Sequence, residues 1–94
     1  MALKKFVKDP QARLDYIIDW GPWLAPTGDI LQSAVYGTVS TGITAEPGIV
    51  VSNASTKFWV SGGTAGNSYD VTIRVTTVGG RTDERTITIT CKDL

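Results

Sequence analysis

Residues 68–91, SYDVTIRVTTVGGRTDERTITITC, constrain this chain more than any other stretch. From Val71 onward apolar or β-branched residues occupy every second position (Val71, Ile73, Val75, Thr77), with Thr72, Arg74 and Thr76 between them. Beyond Gly79 and Gly80 the pattern resumes as Ile87, Ile89 and Cys91, with Thr86, Thr88 and Thr90 in the alternate phase. A period of two carried by β-branched residues predicts half-buried antiparallel strands joined by a glycine turn, not a helix. Two strands alone bury too little to be stable, so the rest of the chain must supply the facing wall.

The preceding residues read the same way. Leu14, Tyr16, Ile18 and Trp20 alternate with Asp15, Ile17 and Asp19, which predicts a strand with an aromatic inward face, broken at Gly21-Pro22. Trp20 and Trp23 flank that break; they either cap one end of the core or form an exposed patch, and the dominance of large aromatics in small cores favours the cap. Pro26-Thr27-Gly28-Asp29 reads as a turn. Residues 29–39 form a strand of open register: Leu31, Ser33 and Val35 share one face, Ile30, Ala34 and Tyr36 the other, as in a central or bulged strand. Glu46-Pro47-Gly48 signals a turn, followed by short strands over 49–52 and 56–61, the latter with Phe58 and Val60 opposite Trp59. The glycine-rich run 62–67 is a loop. Tyr69, entering the penultimate strand, stands where a tyrosine corner would place it, with its hydroxyl on nearby backbone. The expectation is an all-β fold: an immunoglobulin-like antiparallel β-sandwich of about six to seven strands.

Ninety-four residues make one domain with a single core. Nine basic and nine acidic residues balance, which argues against a general nucleic-acid binder. The balance is uneven along the chain. Residues 1–13 hold Lys4, Lys5, Lys8 and Arg13 against Asp9 alone, whereas 14–94 hold five basic and eight acidic groups. Such asymmetry suggests an extended N-terminal arm over 1–13 and a sandwich over 14–94, although Leu3, Phe6 and Val7 also permit a short strand there. Asp9-Pro10 interrupts regular structure between the two. No apolar run fits a signal peptide or approaches the roughly 20 residues of a membrane helix. The single cysteine, Cys91, falls in the inward phase and reads as a small buried hydrophobe in a protein made in a reducing cytosol.

Candidate chemistry is sparse. With no histidine and one cysteine, the chain lacks the parts for Ser-His-Asp or Cys-His nucleophiles and for the usual zinc sites. Asp15 and Asp19 lie about 13 Å apart along one strand, too far for an acid–base pair. Gly62-Gly63-Thr64-Ala65-Gly66 lacks the Lys-Ser/Thr ending of a phosphate loop, and strands flank it on both sides. No catalytic, metal or cofactor residues are expected. What remains are sheet edges and loop ends, where an unpaired strand invites another chain.

Much of the chain from Asp9 onward resembles a family of small structural proteins of tailed bacteriophages. The shared pattern consists of Asp9-Pro10, Leu14-Asp15-Tyr16 with Asp19-Trp20, Trp23-Leu24, Gly28-Asp29, Gly62-Gly63-Thr64 with Gly66, Tyr69 with Val71-Thr72, and Thr77 with Gly80-Arg81. It is similar to the fibre–tail adaptor type, an immunoglobulin-like module of the neck or tail. The resemblance implies a virion protein, made in the bacterial cytoplasm, that links tail fibres to the tail or head–tail connector by protein contacts. It implies several copies in a ring, and no cofactor, nucleic acid or membrane. The contact residues expected on this reading are Leu3, Lys4, Lys5, Phe6, Val7 and Lys8 in the arm, with Trp20 and Trp23, because desolvated aromatic and aliphatic anchors carry interface energy and a basic arm steers onto an acidic partner. The competing expectation is a carbohydrate-binding sandwich with tryptophans as stacking platforms for host polysaccharide.

Overall fold

The computed structural model describes residues 2–93, with side chains from Lys5 onward. Strands β1 (Ala2–Lys8), β8 (Thr82–Cys91), β7 (Ser68–Thr77) and β3 (Leu31–Val39) form one sheet in the order β1-β8-β7-β3. The second sheet is built on β6 (Ser55–Gly62), which pairs with β2 (Leu14–Asp19), β4 (Ile43–Ala45) and β5 (Val50–Val51). Between β2 and β3 the chain makes a single helical turn, α1 (Gly21–Leu24), and a 3₁₀ turn (Ala25–Thr27) that ends at Gly28 in the left-handed region, φ 65°. The fold is an all-β sandwich.

The hairpin forms as its alternation requires. Val71, Ile73, Val75, Ile87, Ile89 and Cys91 are buried, and they face Tyr16, Ile18, Phe58 and Val60 of the other sheet within one core. On the solvent side the partners satisfy each other across the strands: Ser68 with Thr90 at 2.8 Å, Thr88 with Asp70 at 2.7 Å, Thr72 with Thr86 at 2.7 Å, and Arg74 with Glu84 at 3.2 Å. Such cross-strand pairs are the unit of sheet stabilisation. Leu14 departs from its expected phase in part, being 39% exposed at the start of β2.

The Tyr69 corner is present. The phenol oxygen accepts the Thr64 N–H at 2.9 Å, fixing the loop that leads into β7. Two glycines close around the ring. Gly42 has φ 103°, and a Cβ there would meet Tyr69 Cε1 at 3.0 Å. Gly63 has φ 96°, and its Cβ would lie 2.4 Å from Cys91 Sγ, so any side chain would be strained and would overlap the core.

Three expectations change. The first concerns residues 2–8, which do not extend from the body: they pair with β8 in parallel register, Phe6 opposite Ile89 and Lys8 opposite Cys91, so the sandwich is not wholly antiparallel. The second is the register of β3, which takes neither of its two simple phases. Shifts between Leu31 and Ser33 and between Tyr36 and Val39 turn Leu31, Ala34, Tyr36 and Val39 toward the core and leave Val35 56% exposed. The third is β4, a three-residue strand just ahead of the Glu46-Pro47-Gly48 turn, where no strand was expected.

Candidate interaction surface

β1 owes its position to alternation. Phe6 turns inward and packs its ring on Tyr16, centroids 4.8 Å apart, while Lys5 and Val7 face solvent. Lys8 shares the inward phase, and its residue is fully buried. Its ammonium donates to the carbonyls of Asp9 and Gly62, both at 2.7 Å, and to that of Pro10 at 3.4 Å. A lysine can occupy this place because its aliphatic stem crosses the core margin while its head finds acceptors at the sandwich end. Lys8 is therefore a clamp on β1, and the expectation that its side chain forms contact surface is corrected. The side chains of Leu3 and Lys4 lie outside the described residues.

The tryptophan corner splits in a similar way. Trp20 is fully buried, with its indole N–H donating to Thr56 Oγ1 at 3.1 Å, so it caps the core and offers no contact surface. This corrects its place among the contact candidates. Asp19 Oδ1 accepts the Gly21 N–H at 2.8 Å and starts the helical turn, which brings Trp23 edge-on to Trp20 at 5.8 Å. Trp23 stays half-buried and open at the corner. Arg81 lies 4.8 Å over its ring, donates to Thr27 Oγ1 at 2.6 Å and pairs with Asp29 at 3.5 Å, tying the β7–β8 turn to the corner. The Asp29 carboxyl is held below its ordinary range, first by the Thr77 hydroxyl and then by the Ile30 and Gly79 N–H groups and Arg81.

A third aromatic site lies on the outer face of β6. Trp59 carries Arg13 at 4.2 Å, and Arg13 forms a two-pronged pair with Glu46, Nε to Oε2 at 2.5 Å and Nη2 to Oε1 at 2.8 Å. That hydrogen-bonded guanidinium holds the Glu46 carboxyl below the usual carboxylate range. The outward phase of Trp59 was legible from Phe58 and Val60 on either side; its guanidinium partner, 46 positions earlier, was not.

Each indole thus has a guanidinium over its ring, Arg85 standing 4.4 Å from Trp20. An open sugar-stacking platform needs a free ring face on an exposed residue, and the buried Trp20 and the half-buried, arginine-covered Trp23 and Trp59 fit that role poorly. Among the described residues no three or more metal-ligating side chains gather, no cavity opens, and no helix is long and apolar enough to cross a membrane. The surface offers edges and corners.

Residues 8–90 match the family model described as podophage GP4 fiber-tail adaptor protein gp77. The chain belongs to that family. Fibre–tail adaptors are structural components of the phage tail, and the matched span runs from Lys8 almost to the end of β8. No protein of curated function matches the chain. Within this adaptor, the span takes in the Lys8 clamp, the tryptophan corner, the Tyr69 corner and the closing hairpin, while most of β1 lies before it.

Proposed function

We propose that this adaptor is a non-enzymatic virion protein that joins tail fibres to the tail or head–tail connector through protein contacts, in several copies arranged as a ring. The observation that carries the reading is the family match across 8–90. The surface supports it: an unpaired sheet edge at β1 and an arginine-braced aromatic corner at Trp23 are features that other proteins dock on. On this reading the sandwich is immunoglobulin-like, as the Tyr69 corner supports. The contact residues proposed are Lys5 and Val7 along β1, with the inward-packed Phe6 between them contributing its backbone edge, together with Trp23. The partners are other virion proteins and further copies of the chain within the ring, with neither nucleic acid nor membrane taking part.

The test is binding between the purified chain and the purified fibre subunit of its phage, followed by isothermal calorimetry. Stoichiometric binding, weakened about tenfold or more in Trp23→Ala while the protein still melts cooperatively, is the expected result, since a hot-spot aromatic contributes at least 1–2 kcal/mol. No binding to fibre, tail or connector proteins at any accessible concentration refutes the adaptor reading.

A further inference from the structure

The two edge strands on one flank of the sandwich differ in charge. The chain leaves β1 at Lys8, turns through 9–13 and returns along β2, so the strands run in opposite directions and Phe6 stands level with Tyr16. β1 ends its sheet and β2 ends the other; among the described residues no hydrogen bond joins them, and each leaves one edge unpaired. The opposite flank is stitched instead, with Leu31 N–H donating to Asn53 O at 2.9 Å and the Tyr36 hydroxyl to Glu46 O at 2.5 Å. Three of the seven exposed large hydrophobic residues among the described residues fall on the open strands: Val7 at 50%, Leu14 at 39% and Ile17 at 56%. Beside them β1 presents Lys5, and β2 presents Asp15 and Asp19. Neither Lys5 nor Asp15 belongs to an ion pair among the described residues.

We propose that this flank is where two copies of the chain meet, β1 of each pairing antiparallel with β2 of the other. The choice of occupant follows from symmetry and charge. A two-fold axis perpendicular to the sheets would set β1 against its own copy, with lysine facing lysine, and β2 against its own copy, with aspartate facing aspartate. Like charges across a strand pair are destabilising. A two-fold axis parallel to the strands sets β1 against the partner's β2 instead. Phe6 is then level with the partner's Tyr16, Lys5 with Ile17 between Asp15 and Asp19, and Val7 with Asp15 beside Ile17. Opposite charges meet, the apolar side chains are covered, both open edges gain backbone partners, and the contact repeats twice because a two-fold interface is self-complementary. The Trp23 corner lies outside this seam and stays open for the further contacts that a ring of adaptors, as proposed above, would need.

Sedimentation equilibrium of the purified chain across a dilution series tests the pairing. A monomer–dimer equilibrium that weakens with added salt is expected, and Lys5→Glu should raise its dissociation constant at least tenfold without altering the melting of this exposed site. Asp15→Lys should do the same, as should Ile17→Thr through loss of the apolar contact. Asp15 is chosen over Asp19 because the Asp19 carboxylate accepts the Gly21 N–H ahead of the helical turn. The decisive mixture is K5E with D15K: each fails to pair with itself, yet together they restore the dimer, since both seams again carry opposite charges. A wild-type chain that stays monomeric throughout overturns the proposal, as does a dimer indifferent to all three substitutions. Capture of the fibre subunit by a monomer through Lys5 overturns it too, and assigns the flank to the fibre while leaving the adaptor reading intact.

Discussion

Replacing Lys8 with methionine tests whether a buried ammonium holds β1 in place. Methionine keeps most of the aliphatic stem and removes the donors that reach Asp9 O and Gly62 O, each at 2.7 Å. Hydrogen bonds to a charged group contribute about 1.5–3 kcal/mol each, so the gross loss is roughly 3–6 kcal/mol. Against this stands relief from burying a charge that forms no ion pair among the described residues, which amounts to several kcal/mol. The Asp9 and Pro10 carbonyls lie in a half-buried segment that water can reach, which lessens the penalty there. The Gly62 carbonyl, which also faces Cys91 Sγ at 3.9 Å, keeps most of its cost. The balance is a destabilisation of about 1–3 kcal/mol, or on the order of 10 °C in Tm for a domain of this size. Urea unfolding followed by tryptophan fluorescence reads the global loss, and amide exchange along β1 reads the local one, with β1 amides opening before those of β7. A variant as stable as wild type, or more so, with β1 exchange unchanged, would refute the clamp and make Lys8 a tolerated burden.

Two further perturbations address the fold. Tyr69→Phe removes the acceptor of the Thr64 N–H and should cost about 0.5–1.5 kcal/mol by urea midpoint; no loss removes the tyrosine corner from the account. Asp29 and Glu46 both have folded-state carboxyl pKa values lowered relative to the unfolded chain, so their contribution is fully present above the unfolded value of about 4 and is lost as pH falls through the lower folded values. Asp29→Asn combined with Glu46→Gln should therefore flatten the fall of the urea midpoint below about pH 4, and an equally steep fall in the double variant contradicts these assignments.

What the sequence made legible depends on how far a pattern extends without interruption. The closing hairpin is unbroken over ten residues on each side, so its inward set reads off directly. β3 is nearly as long, at nine residues, but its two register shifts move the inward phase within the strand, and no single alternation describes Leu31, Ala34, Tyr36 and Val39 together. β4 is too short to show a period. β1 was obscured by chemistry: its inward positions include Lys8, a residue type rarely buried without partners, and besides the adjacent Asp9 carbonyl its partner is the Gly62 carbonyl at the end of β6, which no local window contains. The parallel union of β1 with β8 is likewise a contact between the two ends of the chain. Of the contact residues expected from sequence, Lys5, Val7 and Trp23 retain accessible surface, whereas Lys8 and Trp20 belong to the interior. The flank between β1 and β2 emerges only when the two ends of the sheet order are set side by side.

The adaptor role itself is tested most directly by a reconstruction of the intact phage tail at side-chain resolution. Density for this sandwich is expected in several copies, bridging the fibre and the tail or connector, with β1 and the Trp23 corner in contact with neighbouring chains. A tail in which the chain is absent, or in which it touches no fibre while the fibres attach through other proteins, would contradict it.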